Sequence, residues 1–351
     1  MTTKQRSWWP LWVGLALVAA LVVLIFLRTK APPEAARLLP ESDAIVYVNL
    51  RPLRALTRWG EPEAGGPPPR SRELETFVQA TGVDPERDLD SAAFALHRMS
   101  DPRGPNGAVA YSEVFVGHFD EDLLHKYLTG VAIGRETYAG HEIFLIPVEN
   151  RTLRVTQLNY DTVAASNAPT AEQIHSMLDR ASAAALWRPG SSLLAARYHR
   201  VPLLSLAWGI GRIGLPFGQD GRLAVMGFEL PVPVDTELVA SLRYGGALHL
   251  RVEEIAPDAL AAQHTTDTVN NILGIIRGVA SANQVHTPRE AAMRDVLSSV
   301  MTAQHGNRAV LTAGASVQDA RALVSADALQ LSGPEVSSAP VVTLSPSEEP
   351  K

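Results

Sequence analysis

The stretch Ile143 to Ala165 reads IFLIPVENRTLRVTQLNYDTVAA. Three runs rich in apolar and β-branched residues lie in it: Ile143 to Val148, Thr152 to Leu158 and Thr162 to Ala165. Short polar spacers separate them, as in successive hairpins. In the middle run Leu153 and Val155 alternate with Arg154 and Thr156. A strand with one wet face is the habit of an antiparallel sheet, whereas a parallel strand is buried on both sides.

Working toward the N-terminus, Asp120 caps an expected helix with Leu123, Leu124, Tyr127 and Leu128 on one face and Gly130 as its stop. Val109 to Val116 and Ser91 to His97 read as strands. A helix begins at Ser71, carries Leu74, Phe77 and Val78 inward and ends at Gly82, and Ala44 to Leu50 (AIVYVNL) reads as a buried strand.

Toward the C-terminus, Thr170-Ala171-Glu172-Gln173 has the pattern of a capping box, opening a helix with Ile174, Met177, Leu178 and Ala181 inward. A boundary falls at Trp187-Arg188-Pro189-Gly190. Beyond it Leu203 to Trp208, Arg222 to Leu230, Glu237 to Leu242 and Ala247 to Val252 read as strands, the last with Leu248, Leu250 and Val252 opposite His249 and Arg251. Asp258 caps a helix with Val269, Ile272, Leu273 and Ile276 on its face. Thr287, Pro288 and Glu290 open another, whose face is Met293, Val296, Leu297, Val300 and Met301. A strand at Ala309 to Ala313 and a short helix to Val324 follow. The expected class is α+β, with antiparallel or mixed sheets covered on one face by helices and, as one reading, two similar halves.

The N-terminus adds a different signal. Trp8 to Leu27 is twenty residues without a charge. At about 1.5 Å per residue such a run reaches about 30 Å, the thickness of a bilayer's hydrocarbon core. Trp8, Trp9 and Trp12 stand at one end, while Arg28 and Lys30 close the other. The run is longer than the apolar region of a cleaved signal peptide, and no small-x-small cleavage site follows it. The expectation is an uncleaved single-pass anchor in a bacterial inner membrane, residues 8–27 contacting the lipid bilayer, with a cytoplasmic N-terminus and the bulk exported to the periplasm. The expected organisation is 1–30 N-terminus and anchor, 31–40 stalk, 41–187 first α+β domain, 188–332 second α+β domain, and 333–351 a disordered tail. Ala31-Pro32-Pro33-Glu34 marks the stalk, and Glu61 to Arg70 (EPEAGGPPPR) a loop.

The segment from Leu39 through Arg54 (LPESDAIVYVNLRPLR), with Thr81 to Asp90 (TGVDPERDLD), resembles the opening of a group of uncharacterised bacterial single-pass envelope proteins, which share an LP-x-x-x-x-hydrophobic-strand start after one membrane segment. The resemblance implies the anchor and the fold class; it implies no activity and no site residue.

Composition limits the chemistry. The chain has 351 residues, a formal charge of −6 and no cysteine, which excludes disulfides, thiolate metal sites and cysteine nucleophiles. Mild acidity gives no electrostatic basis for nucleic-acid binding. Gly209-Ile210-Gly211-Arg212-Ile213-Gly214 matches G-x-G-x-x-G, but Pro216 and Gly218 follow where a nucleotide-binding helix must start, so it reads as a flexible connection. Asp84, Glu86, Asp88 and Asp90 have calcium-loop spacing, yet Leu89 and Ala95 stand where glycine and a bidentate glutamate belong, so they read as a turn with solvated carboxylates. His118, His125 and His141 show no metal-ligand spacing, no G-x-S-x-G or P-loop occurs, and Asn150-Arg151-Thr152 reads as a turn. No catalytic, cofactor-binding or metal residue is assigned. The expected role is a non-catalytic protein-interaction or structural module of the envelope, contacting an envelope protein or the cell wall. The alternative is an enzyme or solute-binding module whose groups, such as Asp161, His175 and Arg197, converge only in space.

Overall fold

Helix α1 (Glu34–Leu38) and strand β1 (Ala44–Asn49) open the part of the chain described by the computed structural model. The described residues are 31–58, 72–101, 107–183, 190–212, 222–225, 228–231, 236–282 and 286–324. The expected membrane run, the Pro/Gly loop and the C-terminal tail lie outside them. No helix among the described residues is long and apolar enough to cross a membrane.

The protein is α+β, an antiparallel sheet with helices. After β1 come α2 (Leu50–Arg58), α3 (Arg72–Thr81) and the one-turn α4 (Pro85–Asp88), then β2 (Leu89–Arg98) and β3 (Val109–Gly117). Helix α5 (Glu121–Val131) leads to a meander of β4 (Gly134–Tyr138), β5 (His141–Val148), β6 (Arg151–Asn159) and β7 (Thr162–Ser166), closed by α6 (Glu172–Ser182). The second half begins with α7 (Ser192–Arg197) and a 3-10 turn, Tyr198–Arg200. Strand β8 (Ser205–Arg212), the hairpin β9 (Arg222–Val225) and β10 (Phe228–Pro231), β11 (Glu237–Tyr244) and β12 (Leu248–Ile255) follow. Helices α8 (Ala259–Ala282) and α9 (Pro288–Ser299), strands β13 (Met301–His305) and β14 (Arg308–Ala315), and α10 (Val317–Val324) complete it.

Twelve strands form one sheet in the order β13-β14-β12-β11-β8-β1-β2-β3-β7-β6-β5-β4. Its pairings are antiparallel, as the spacing around Ile143 to Ala165 predicts. The strands of residues 41–187 and of 188–332 are joined through β1 and β8, with Ile45 opposite Ile210 and Tyr47 opposite Trp208. The register lines up a continuous row across both halves: Val310, Glu253, Val239, Ile210, Ile45, Ala95, Ser112 and Ser166. The neighbouring same-face row runs Arg251, Ser241, Trp208, Tyr47, Ala93, Val114 and Ala164. Helices α1, α6 and α7 cover the middle of this face. Ala35, Ala36, Ile174, Met177, Leu178 and Leu194 pack there with Ile45, Val114 and Trp208 in the main core. On the other face Leu124 and Leu128 of α5 pack on Phe144, Val155 and Val163.

Several sequence expectations are corrected. Residues 34–38 fall within the expected stalk but form α1, with Ala35, Ala36 and Leu39 almost wholly buried, because alanine-small spacing lets a short helix sit close on the sheet. The Thr170 capping box does not form; α6 starts after Ala171, in helical conformation with no side-chain cap. Met301 leaves the helix face expected for it: α9 ends at Ser299, and Met301 begins the edge strand β13, paired with Thr312. The Gly209 region is no loose connection at its start, since β8 runs through Gly211 and Arg212. The Thr287 capping box does form, with Glu290 reaching back to the cap.

Candidate functional site

On the core face, beyond the helix layer, chemistry changes along the two rows. Glu253 lies next to Val239 and Val310, and its side chain is 4% exposed. Three guanidinium groups converge on it: Arg200 at 2.9 Å, Arg251 at 3.0 Å and Arg308 at 3.2 Å. Arg200 comes from the turn after α7, Arg251 from the same strand as Glu253, and Arg308 from β14. Burial pushes the Glu253 carboxyl up, but hydrogen bonds from Arg251 and Arg308 outweigh it and hold the group below its ordinary 4.5. Arg197 donates to Glu237 at the edge of this cluster. Sequence reasoning misses it because the strand was expected to end at Val252; the available signal was the continued alternation Arg251-Glu253-Ile255.

A second polar group lines a shallow depression of about 190 Å³ between α5 and β5. His125 Nε2 lies 3.1 Å from Glu142 Oε2, and Arg135 Nη1 donates to Glu142 Oε1 at 2.7 Å. Hydrogen bonds from Arg135, then His125, lower the Glu142 pKa. Phe144 forms the floor, with the His125 ring edge-on at 5.4 Å and the Arg135 guanidinium 5.3 Å from its centroid. All three ionisable groups are substantially exposed, so the pairings are weak and screened.

The groups named as possible convergent residues are not brought together. Asp161 accepts from Thr162 in the β6–β7 turn, His175 stacks on Tyr138 at 3.8 Å, and Arg197 pairs with Glu237. The carboxylates expected to be solvated at 84–90 instead hold structure: Asp84 caps α4, Asp88 pairs with Arg87, and the half-buried Asp90 ties β2 to Arg51 and Arg54 of α2. His141 bonds the Gln157 carbonyl. Among the described residues no group of three or more potential ligands is arranged to hold a metal ion. His97 and Ser112 form a buried pair at 2.9 Å, extended to Ser166 at 3.1 Å. Ser112 is fully buried, so no substrate carbonyl can reach its hydroxyl. Burial lowers the His97 pKa, opposed by Asp43 and the Glu41 backbone, and the neutral ring links β2 to β3.

On the opposite face Glu254 is buried beneath α8. Thr265 donates to Oε1, while Oε2 has no hydrogen-bond partner. Burial raises its pKa above 4.5, and the Thr265 bond only partly counters this. A raised carboxyl pKa means the fold binds the proton more tightly than the unfolded chain. Its contribution is therefore fully present below pH 4.5 and is lost as pH rises through the folded value. Glu254→Gln keeps the shape without the ionisation. It should match the parent at pH 4 and unfold at higher urea than the parent at pH 7. Equal midpoints at both pH values would refute the assignment.

No family model matches this chain, and no curated protein matches it. Among solved structures it is similar to crystal form III of TP0453, with TM-score 0.44 and 11% identity over 84% of this chain and 98% of that one. Crystal form IV gives TM-score 0.40 and 10% identity over 85% and 98%, and crystal form I gives 0.38 and 10% over 84% and 98%.

Proposed function

We propose that this chain is a single-pass, membrane-anchored protein of the bacterial envelope, whose exported body is a non-catalytic interaction or structural module. The observation that carries the reading is the uncharged run Trp8 to Leu27, which ends only six residues, 28–33, before α1. The body's ionisable side chains also support it: most of those described hold strands, caps and turns together rather than facing a common cavity. Strand order supports two similar halves. β1, β2 and β3 continue into a return meander that ends at β7 beside β3, while β8, β11 and β12 are followed by β14 returning beside β12.

Membrane fractionation tests the anchor. The full chain should stay in the pellet after alkaline carbonate extraction, and a periplasm-dependent reporter fused after Lys351 should be active. A soluble mature chain starting past Leu27 would overturn the anchor, and a silent reporter the export. A crosslinking pull-down from solubilised membranes that repeatedly recovers no partner would count against the interaction role.

The depression at His125 favours the second reading, a small-solute site. There His125→Ala should abolish a solute-induced stabilisation that leaves the parent's unfolding midpoint concentration-dependent. If no solute library member shifts the parent, that reading falls.

A further inference from the structure

We infer that the arginine-bearing end of the core face docks on the anionic phospholipid headgroups of the membrane that anchors the chain. The inference rests on the anchor reading above and specifies which surface of the body the membrane meets.

The basic groups share a face by register. Arg251 and Glu253 lie on the same side of β12, with Arg243 opposite His249 and Ser241 opposite Arg251 on β11. Arg308 on β14 and Arg200 from the turn after α7 reach the same carboxylate. Five guanidinium groups (Arg197, Arg200, Arg243, Arg251 and Arg308) thus share this end of the face with two carboxylates, Glu237 and Glu253, which pair with all of them but Arg243, in a chain whose net charge is −6. Depth separates the signs further. The Glu253 side chain is 4% exposed, whereas Arg251 is 39% and Arg308 38% exposed. Arg243 and His249 are exposed as well. Glu253 fixes Arg200, Arg251 and Arg308 from beneath; Arg200 Nε is itself buried, while Arg251 and Arg308 keep more than a third of their side-chain surface exposed, a pattern suited to phosphate oxygens.

The tether supplies the second, independent constraint. α1 packs on this same face, its Ala35, Ala36 and Leu38 sharing a core with Leu194, Val201 and Val239 and with Ile255 packed against it. Ile255 follows Glu253 on the same side of β12. Between Leu27 and Glu34 stand six residues, so the seven steps from one to the other reach at most about 25 Å even when fully extended. An anchor ending at Leu27 therefore keeps α1, which lies over β1, β2 and β3, within about 25 Å of the headgroups, and turns toward the membrane the same face on which β12 and β14 follow beyond β8 and β11. There a basic patch is drawn to anionic lipid over about a Debye length, roughly 8 Å at physiological salt.

The absence of cysteine allows a clean test. Ala303 is exposed on β13 opposite Val310, hence on the same face, and Ala303→Cys gives one labelling site in the full chain. The labelled chain is placed in vesicles of phosphatidylcholine alone, or with a third of phosphatidylglycerol, each carrying a headgroup-level quencher. Several-fold stronger quenching in the phosphatidylglycerol vesicles, abolished by high salt, is expected. In the background of Arg243→Gln with Arg251→Gln, which leaves Glu253 two partners, the difference should at least halve. The salt titration of the singly labelled chain needs neither arginine variant, so misfolding of that pair cannot hide the answer. Equal quenching in both compositions overturns the inference while leaving the anchor intact. Failure of the chain to float with neutral vesicles overturns the anchor reading instead. Equal shielding of the label by soluble polyglutamate in neutral vesicles would assign the face to an acidic protein and overturn the lipid assignment.

Discussion

Gly211→Ala is expected to destabilise the protein by about 3 kcal/mol or more, at the upper end of overpacking costs, and Gly209→Ala by less than about 1 kcal/mol. The contrast is a matter of distance. A methyl group on Gly211 would stand 2.5 Å from the Ala44 Cα and 2.8 Å from the Asp43 carbonyl oxygen. Both are backbone atoms of the paired strand, so relief requires β1 and β8 to separate. At Gly209 the added atom meets only the Val46 side chain at 3.7 Å and the Ile45 carbonyl at 3.8 Å, ordinary contacts. Among the described strands, the β1–β8 pairing is the one place where those of residues 41–187 and 188–332 join in the sheet. Opening it exposes Tyr47 and Trp208, whose rings stack at 5.5 Å in the core. Thermal unfolding should show a loss of about 5 °C for Gly211→Ala. An unchanged midpoint for Gly211→Ala, or equal losses for both variants, would show that the strands do not approach as described.

Glu253→Gln is expected to cost about 2–3 kcal/mol at pH 7, below the roughly 3–5 kcal/mol for removing one partner of a fully buried ion pair, because the arginines keep some access to water. The variant leaves three guanidinium groups facing one another without their shared counter-charge. Arg251→Gln should cost less than about 1 kcal/mol, since Arg200 and Arg308 still hold the carboxylate. The pH dependence has a fixed sign. Glu253 is held below 4.5 in the fold, so its stabilisation is present above pH 4.5 and is lost as pH falls through the lowered value. The parent and Glu253→Gln should therefore converge in acid and diverge toward neutrality in urea titrations. A constant difference across that range would mean the glutamine acts through packing alone.

Much of the architecture is legible in local pattern. The alternation of Leu153 and Val155 with Arg154 and Thr156 gives the sidedness of β6, and Thr287 with Glu290 gives the start of α9 to the residue. Such signals survive because they involve neighbours a few positions apart. The misread places depend on distant partners. Val300 and Met301 continue the helical period of α9, yet pairing with Thr312 draws Met301 into an edge strand. Residues 34–38 sit between prolines and charges like a linker, yet α6, β2 and β3 provide a surface that buries them. The arginine cluster could not be read from spacing, since Arg200, Glu253 and Arg308 lie more than fifty positions apart in turn.

The sequence by itself determined the class of fold, the antiparallel habit, the starts of α3, α5, α8 and α9 and the apolar N-terminal run, because periodicity, caps and hydropathy are properties of a short stretch of chain. Only the tertiary structure decided that β1 and β8 join the strands into one sheet, that Gly211 is there for close backbone approach, and that Glu253 gathers three arginines at one end of the core face. Those facts follow from which strand lies beside which, and that depends on burying one shared apolar surface rather than on any local preference.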